Sequence, residues 1–164
     1  KRQLQMVAMY SAIANDGKLL RPRIVDLVTN AGGEAIYRSE VEIVGTPIRP
    51  ETSRLMRRLL KRVTDQGGTA RRARIEGYDV AGKTGTEEKV INGQYAKHAN
   101  IASFAGFLPA NKPELCILIV VDEPHKFHTG GRVAAPVFKA IAEHIVRNLG
   151  IPPGGWDYPM YAEK

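Results

Sequence analysis

The chain has 164 residues, 43% of them hydrophobic and 25% charged, a composition that excludes disordered, collagen-like and disulfide-scaffold proteins. Its length is that of a single domain. The formal net charge of +7 favours polyanions, anionic surfaces or carboxylate ligands as partners, without selecting among them. The sequence begins with Lys1, already within a helix-like pattern, and shows no signal peptide or membrane span. We therefore expect it to be part of a longer protein.

The N-terminal region predicts a helix followed by a hairpin. Apolar residues recur at helical spacing from Leu4, and an Asn-Asp-Gly sequence at residues 15–17 supplies a left-handed stop. Residues 19–29 are rich in β-branched and aliphatic side chains and, after a glycine-rich turn, residues 34–38 return as a second strand. Pro22 places this hairpin near the edge of a sheet.

A second helix is predicted over residues 51–66, between two prolines and a Gly-Gly pair. Its apolar face carries Leu55, Met56, Leu59, Leu60 and Val63, and its basic face carries Arg54, Arg57, Arg58, Lys61 and Arg62. Three more arginines follow, at Arg71, Arg72 and Arg74. No aromatic side chains are interleaved with these cations to stack on bases, so we expect no nucleic acid partner. A noncatalytic module that binds an acidic partner through helix 51–66 stays open as an alternative function.

The second half of the sequence predicts a sheet and a final helix. Strands are expected over residues 79–89, 99–108 and 114–121. The third strand, which contains the single cysteine Cys116, has no polar alternation, so we expect it at the centre of a sheet with both faces covered. Residues 132–149 carry an apolar stripe and end at Gly150, which predicts a helix with Pro136 in its first turn. This order predicts an α+β fold in which an antiparallel sheet is flanked by helices, followed by a tail over residues 154–164.

One segment imitates a nucleotide-binding loop. Residues 77–84, Gly-Tyr-Asp-Val-Ala-Gly-Lys-Thr, fit the pattern G-x-x-x-x-G-K-[ST] of phosphate-binding loops. The apolar strand that ends at Asp122 and Glu123 resembles the strand whose terminal acidic residues hold Mg²⁺ in such enzymes. A phosphate-binding loop needs a buried strand before it and a helix after it. Residues 71–76 are too charged for that strand, and residues 85–93 contain glycines that break that helix. A P-loop NTPase is therefore the less favoured alternative.

Residues 83–86, Lys-Thr-Gly-Thr, support a different interpretation, because they resemble the third signature of the penicillin-binding proteins and serine β-lactamases. Other segments match in the same order: the helix at 3–14, Gly-Gly-Thr-Ala at 67–70, Ala-Ser-Phe-Ala-Gly-Phe at 102–107, Val-Val-Asp-Glu-Pro at 120–124, and Thr-Gly-Gly at 129–131 followed by Ala-Ala-Pro-Val-Phe. In this order and spacing, residues 1–153 resemble the C-terminal portion of a class B penicillin-binding protein transpeptidase domain. The Thr-Gly-Gly segment looks more like the division-specific branch than the elongation-specific one.

This resemblance implies a β-lactamase/transpeptidase-like fold and a peptidoglycan D,D-transpeptidase of septal cell-wall synthesis. Such an enzyme cross-links stem peptides that end in D-Ala-D-Ala through an acyl-serine intermediate, and it binds β-lactams. The resemblance implies that Lys83 acts beside the nucleophile, that the Thr84 and Thr86 hydroxyls fix the substrate carboxylate, and that the Thr86 amide is an oxyanion donor. Gly85 has no Cβ, so an extended substrate can lie against the strand. No metal and no other cofactor is expected.

The sequence departs from the family in the signatures S-x-x-K and Ser-x-Asn, neither of which occurs. Its serines are Ser11, Ser39, Ser53 and Ser103, and none has a lysine three places later. In the family both signatures lie upstream of the first helix, so we expect this chain to be inactive alone and to need the N-terminal remainder of its own domain. The resemblance also implies a parent protein anchored in the cytoplasmic membrane, with this domain on the periplasmic side, working with division proteins and a glycosyltransferase.

The remaining polar residues are weaker candidates. A metal site could be drawn from Asp122, Glu123, His125 and His128, although a loop after a strand often carries such residues. His98 is expected in a loop after the K-T-G-T strand, with Tyr95 and Lys97 as rim residues of the cleft.

Overall fold

The computed structural model describes residues 2–153, apart from the side chains of residues 97 and 98. The helices are α1 (Arg2–Ala14), α2 (Pro50–Lys61) and α3 (Gly130–Leu149). The strands are β1 (Leu19–Leu20), β2 (Leu27–Thr29), β3 (Ala35–Arg38), β4 (Ile43–Gly45), β5 (Ala81–Ile91), β6 (Gln94–Leu108) and β7 (Leu115–Asp122). Short 3-10 turns at Arg62–Thr64 and Arg71–Ala73 connect α2 to β5. Within this range no helix combines the length and apolar character needed to cross a bilayer. The predicted tail lies outside the described residues.

Strands β5, β6 and β7 form an antiparallel sheet in that order, with α1 and α2 on one face and α3 on the other. This arrangement confirms the predicted α+β architecture. The β5–β6 hairpin closes at Asn92 and Gly93, whose φ angles of 52° and 78° are those of the tight turns that suit twisted strands. The loop predicted between residues 89 and 99 is therefore wrong, because both strands continue to this turn.

The sheet face under α3 is densely packed. Phe104 of β6 and Phe138 of α3 are fully buried, and their rings meet edge to face with centroids 4.9 Å apart. Small side chains let the helix approach closely, and those fully buried are Ala134, Ala135 and Ala142. Helix α3 begins at Gly130, ahead of the predicted start, so Pro136 lies in its second turn and not in its first.

The opposite face, under α1 and α2, is thinly packed. Its fully buried apolar residues are Ala81, Phe107 and Ala110. On α2, Leu55 and Leu59 are 48% and 55% exposed, whereas Arg57 is only 6% exposed. The predicted division of helix 51–66 into an apolar and a basic face is therefore wrong at these positions.

Arg57 is buried because it ties α2 to the end of α1. Its Nη1 donates to the Asp16 carboxylate at 2.9 Å and to the Ala14 carbonyl at 3.1 Å. One turn earlier on α2, the buried Ser53 hydroxyl donates to the carbonyl of Ile13. Because Arg57 points inward, α2 does not present the continuous basic face that the interaction-module alternative requires.

Within residues 2–153, strand β7 is an outer strand of the sheet, whereas its sequence predicts a central strand with both faces covered. It pairs with β6, and within residues 2–153 no strand pairs with its other edge. Helix α1 contacts one of its faces and α3 contacts the other. Both faces of its uninterrupted apolar sequence are therefore covered by helices, which confirms that part of the prediction.

Residues 19–45 form two small ribbons. Strands β2 and β3 pair across the glycine-rich turn, which confirms the inner part of the predicted hairpin, whereas residues 19–20 form a separate strand, β1, that pairs with β4. Pro22 lies in the irregular segment between β1 and β2. Most side chains here are exposed, including Ile24 and Ile36. At the end of the β1–β4 ribbon the Arg21 guanidinium donates to the Glu42 carboxylate, and this hydrogen bonding holds the pKa of that carboxyl below its usual range.

Candidate active site

The K-T-G-T segment lies in β5, where successive side chains alternate between the two faces of the sheet. Thr84 is the cross-strand partner of Phe104, which packs on α3, so Thr84 and Thr86 lie on the α3 face. Lys83 lies on the opposite face, toward α1 and α2, and is exposed. The segment therefore presents two hydroxyls on one side of the strand and a cation on the other.

Strand β5 is an outer strand whose second edge is unpaired within residues 2–153. The Nζ of Lys83 donates to the carbonyl oxygen of Thr84 at 2.9 Å, which indicates that this carbonyl points away from β6. Backbone groups of an antiparallel strand repeat their direction every second residue, so the amide of Thr86 points to the same open edge. The edge thus offers an acceptor and a donor with which an extended peptide can pair.

The start of α3 packs directly on β5 and β6 because its first two residues have no side chains. A Cβ on Gly130 would collide with the carbonyl oxygen of Ser103, and a Cβ on Gly131 would collide with that of Thr69. The amide of Gly130 donates to the hydroxyl oxygen of Thr86 at 3.2 Å. The Gly-Gly pair therefore holds the start of α3 against the K-T-G-T segment.

A groove opens between β5, the start of α3 and residues 68–72. The Oγ1 of Thr84 donates to the Oγ1 of Thr69 at 3.1 Å across its floor. The groove has a volume of about 450 Å³. Its hydroxyl lining comes from Thr69, Thr84, Thr86 and Thr129, and we call it the threonine groove. The sequence shows Gly-Gly-Thr-Ala and Thr-Gly-Gly as family-like segments but predicts no contact between them and residues 83–86.

The threonine groove also has a charged lining, contributed by Arg71, Arg72 and Arg132. The Arg132 guanidinium stacks on the Phe127 ring at 3.7 Å from its centroid. Among the described residues, no acidic side chain lines this groove. Hydroxyl donors and guanidinium groups without a competing carboxylate favour an anionic ligand, and a carboxylate is one such ligand.

The residues at the end of β7 do not form the metal site that could be drawn from the sequence. The Nζ of Lys89 contacts Asp122 at 2.6 Å and Glu123 at 2.8 Å, and these carboxylates raise the pKa of Lys89. His125 and His128 are exposed. Within residues 2–153, no three His, Cys, Asp or Glu side chains lie close enough together to hold a metal ion.

Two further sequence interpretations are corrected. Residues 95, 97 and 98 lie in β6 and not in a loop, and Tyr95 pairs with Val90 near the hairpin turn, beyond the K-T-G-T segment. The residues after Lys83 continue β5 and form no helix, so residues 77–84 lack the helix N-terminus that phosphate binding by a P-loop requires.

The model of the penicillin binding protein transpeptidase domain matches residues 3–143 of the chain. The chain is 36% identical over 152 residues to the probable peptidoglycan D,D-transpeptidase PenA of Neisseria meningitidis serogroup A, covering 92% of this chain and 24% of that protein. It is 38% identical over 155 residues to stage V sporulation protein D of Bacillus subtilis, covering 92% of this chain and 23% of that protein. The chain thus spans about a quarter of the length of these curated relatives.

Similarity extends to a solved structure, penicillin-binding protein 3 of Mycobacterium tuberculosis complexed with ampicillin. Its TM-score is 0.83 at 30% sequence identity, and the match covers 97% of this chain and 37% of that one. The fold described above is therefore the fold of the corresponding part of that protein.

Proposed function

Because the chain belongs to the penicillin-binding protein transpeptidase domain family, we propose that residues 1–153 are the C-terminal portion of a peptidoglycan D,D-transpeptidase domain. The parent enzyme cross-links stem peptides that end in D-Ala-D-Ala through an acyl-serine intermediate, and β-lactams acylate the same serine. The serine and its S-x-x-K lysine belong to a part of the parent enzyme outside this chain. This chain supplies the strand that holds the substrate.

The observation that carries this proposal is the arrangement of three polar side chains around the open edge of β5. Thr84 and Thr86 reach this edge from the α3 face, and Lys83 reaches it from the other face. A peptide paired along the edge has its terminal carboxylate within reach of hydroxyl donors and a cation, and charge-assisted hydrogen bonds of this kind are the strong ones. A free terminal carboxylate is the group that distinguishes D-Ala-D-Ala from an internal peptide segment.

The chemical step needs an oxyanion donor as well as a carboxylate site. The serine oxygen attacks the carbonyl carbon of the penultimate D-alanine, and the terminal D-alanine leaves as an amine after taking up a proton. The amide of Thr86, which points to the open edge, donates to the oxyanion that forms in this step; removing one such donor typically costs about 10²–10³ in rate. Lys83, which lies on the face of β5 toward α1 and α2, stabilises the proton transfer.

The setting of the parent enzyme follows from the same proposal. The Thr-Gly-Gly segment at residues 129–131, followed by Ala-Ala-Pro-Val-Phe, supports the division-specific branch. The parent is then anchored in the cytoplasmic membrane with this domain on the periplasmic side, where it works with division proteins and a glycosyltransferase. Residues 154–164 are a C-terminal tail to the domain.

A fluorescent penicillin tests the proposal. We expect covalent labelling of the full parent protein and no labelling of this chain alone. In the parent, Lys83→Ala should slow labelling by on the order of 10²-fold or more, because proton transfer loses its cation. The matched control is Lys89→Ala, which removes a cation of the same strand that is already paired with Asp122 and Glu123. Stable labelling of this chain, or unchanged labelling of the Lys83→Ala parent, would contradict the proposal.

A further inference from the structure

The surplus positive charge of the chain is concentrated in one segment. Residues 54–74 contain eight lysines and arginines and a single aspartate, a net charge of +7 that equals the net charge of the whole chain. The rest of the sequence carries equal numbers of basic and acidic side chains. A surplus confined to one segment attracts anions to one place on the surface, which a diffuse charge does not do.

Ion pairs neutralise part of this charge where the segment forms α2 and its end. The pairs are Arg54 with Glu51, Arg57 with Asp16 and Lys61 with Asp79. Further along the segment, Arg71, Arg72 and Arg74 form no ion pair with a carboxylate of residues 2–153. Their positive charge is therefore available to a ligand.

The backbone fixes the positions of these three arginines. The apolar residues beside them, Ala70, Ala73 and Ile75, are buried in the core under α3, whereas the arginine side chains are exposed. The amide of Ala73 donates to the Ala70 carbonyl at 2.9 Å, and the amide of Arg74 donates to the Arg71 carbonyl at 3.2 Å. Because this turn is ordered before a ligand arrives, binding to it costs less conformational entropy.

All three side chains line one groove of about 580 Å³, which is distinct from the threonine groove. Its lining is completed by Thr64 and Gln66, and no carboxylate of residues 2–153 lines it. We call it the arginine groove. Arg74 lines the arginine groove but does not line the threonine groove.

An adjoining groove limits the size of the anion that fits. This wider groove of about 1000 Å³ shares the three arginines, but its lining adds carboxylates, those of Asp65, Glu76 and Asp79. An extended polyanion that continued into it would meet like charge. The arrangement therefore favours a compact anion held within the arginine groove.

Three guanidinium groups in one groove suit a phosphate better than a carboxylate. A carboxylate has two oxygens in one plane, and a single guanidinium group pairs with both of them. A terminal phosphate has three acceptor oxygens that point in different directions and a charge of about −1.5 to −2 at neutral pH, so several guanidinium groups can bind it at once. Clusters of arginines are accordingly a common mode of phosphate recognition.

We propose that the arginine groove is an anion site that binds a phosphate or diphosphate group through Arg71, Arg72 and Arg74. Such a group occurs on soluble phosphate compounds and in lipid headgroups, which share this chemistry. The site is separate from the carboxylate site proposed on β5, and it does not depend on the proposed function.

Isothermal titration calorimetry of the full parent protein, in a buffer without phosphate and at constant ionic strength, tests the site with three probes. Inorganic pyrophosphate represents a soluble phosphate compound, glycerophosphoglycerol represents the headgroup of phosphatidylglycerol, and glutarate is a dicarboxylate control. We expect at least one phosphate probe to bind about tenfold or more tightly than glutarate. The tighter of the two phosphate probes identifies the source of the ligand.

Two variants assign the binding to the arginine groove. Arg74→Gln should weaken binding of the preferred phosphate probe by about tenfold or more, the size of effect typical of a hydrogen bond to a charged group. Arg62→Gln is the matched control, because Arg62 is an exposed arginine of the same segment that does not line the groove, and it should change the affinity by less than about threefold. Because both side chains are exposed, thermal unfolding of both variants should match that of the wild type.

Three results would overturn the inference. The first is that neither phosphate probe binds to the wild-type parent, and the second is that glutarate binds as tightly as both of them. The third is an equal loss of affinity in Arg74→Gln and Arg62→Gln, which would show that the phosphate responds to the general charge of the segment and not to the groove. None of these titrations involves acylation, so each result leaves the proposed function unaffected.

Discussion

The two faces of the β5–β7 sheet are packed to very different degrees. Under α3, Phe104 and Phe138 are fully buried and in edge-to-face contact. Under α1 and α2, the buried apolar residues are few, Leu55 and Leu59 are about half exposed, and an apolar groove of about 540 Å³ lies between α1 and α2, with Met56 in its lining. The α3 face is covered by this chain, whereas the other face still exposes apolar side chains.

This difference separates the K-T-G-T segment into two parts. Thr84 and Thr86 lie on the covered face, where the start of α3 and Thr69 already hold them in place. Lys83 lies on the opposite face, toward α1 and α2, where its side chain is exposed. This chain alone therefore holds the hydroxyls of the proposed carboxylate site in place, whereas the role proposed for Lys83 also needs the serine that is proposed to lie elsewhere in the parent enzyme.

The largest expected effect is on the covered face. Phe138→Ala should lower the free energy of unfolding of this chain by about 3–5 kcal/mol, because it removes a fully buried ring and leaves a cavity against Phe104. Denaturant unfolding followed by circular dichroism measures the loss. The neighbouring Val137 is 41% exposed, and Val137→Ala should cost about 1 kcal/mol or less. Equal losses for the two variants would show that the α3 face is not the better packed one.

A smaller effect is expected where α2 meets α1. Arg57→Ala should cost about 1–3 kcal/mol, because it removes the hydrogen bonds to Asp16 and to the Ala14 carbonyl. Arg54→Ala on the same helix is the control: its ion pair with Glu51 is exposed and should contribute about 0.5 kcal/mol or less. If both variants unfold at the same denaturant concentration, Arg57 does not tie the two helices together.

The exposed face is tested by comparing this chain with its parent. Leu59→Ser should change the stability of this chain by no more than about 0.5 kcal/mol, because the side chain is 55% exposed. In the parent protein the same substitution should cost about 1.5 kcal/mol or more, since a covered leucine loses its transfer energy. Thermal unfolding of both forms measures the difference. A loss that is equally small in the parent would mean that no further chain covers Leu59.

The smallest effect concerns Cys116, which lies in β7 on the α1 side. Burial raises the pKa of its thiol, so the thiolate is scarce at neutral pH and alkylation of the folded chain should be slower than that of the unfolded chain. The raised pKa also means that the folded state loses stability as pH rises above the ordinary thiol range of ~8.5, because the unfolded thiol ionises first. The Cys116→Ala variant should lose less stability over that range. Rapid alkylation of the native chain would place the thiol at the surface.

The sequence was sufficient to predict the helices, the three strands of the main sheet and the K-T-G-T segment, because each depends on local periodicity or on a contiguous motif. It was not sufficient for the orientation of α2. Helical periodicity identifies two faces, but the burial of Arg57 depends on Asp16, an acidic residue distant in the sequence that meets it only after folding. The sequence also does not determine which strands lie beside β7, because helices on both faces produce the same apolar pattern in an outer strand as in a central one.

The candidate site shows the same limit. Lys83, Thr84 and Thr86 belong to one short motif and stay a prediction from the sequence, although the sequence pattern did not reveal that the hydroxyls and the cation lie on opposite faces of β5. Thr69 and Arg132 join the threonine groove from distant segments. The close approach of α3 depends on two glycines whose importance lies in the absence of a Cβ, and only the structure reveals what that Cβ would meet.

The central claim is that Thr84 and Thr86 hold the carboxylate of the substrate or the β-lactam. The direct measurement is the second-order rate constant for acylation of the parent protein by a penicillin, compared between the wild type, Thr84→Val/Thr86→Val and Thr84→Ser/Thr86→Ser. We expect the valine variant to lose about 10²-fold or more, because both hydroxyl donors to a charged group are removed, and the serine variant to stay within about threefold of the wild type. Acylation of a folded valine variant at the wild-type rate would contradict the claim.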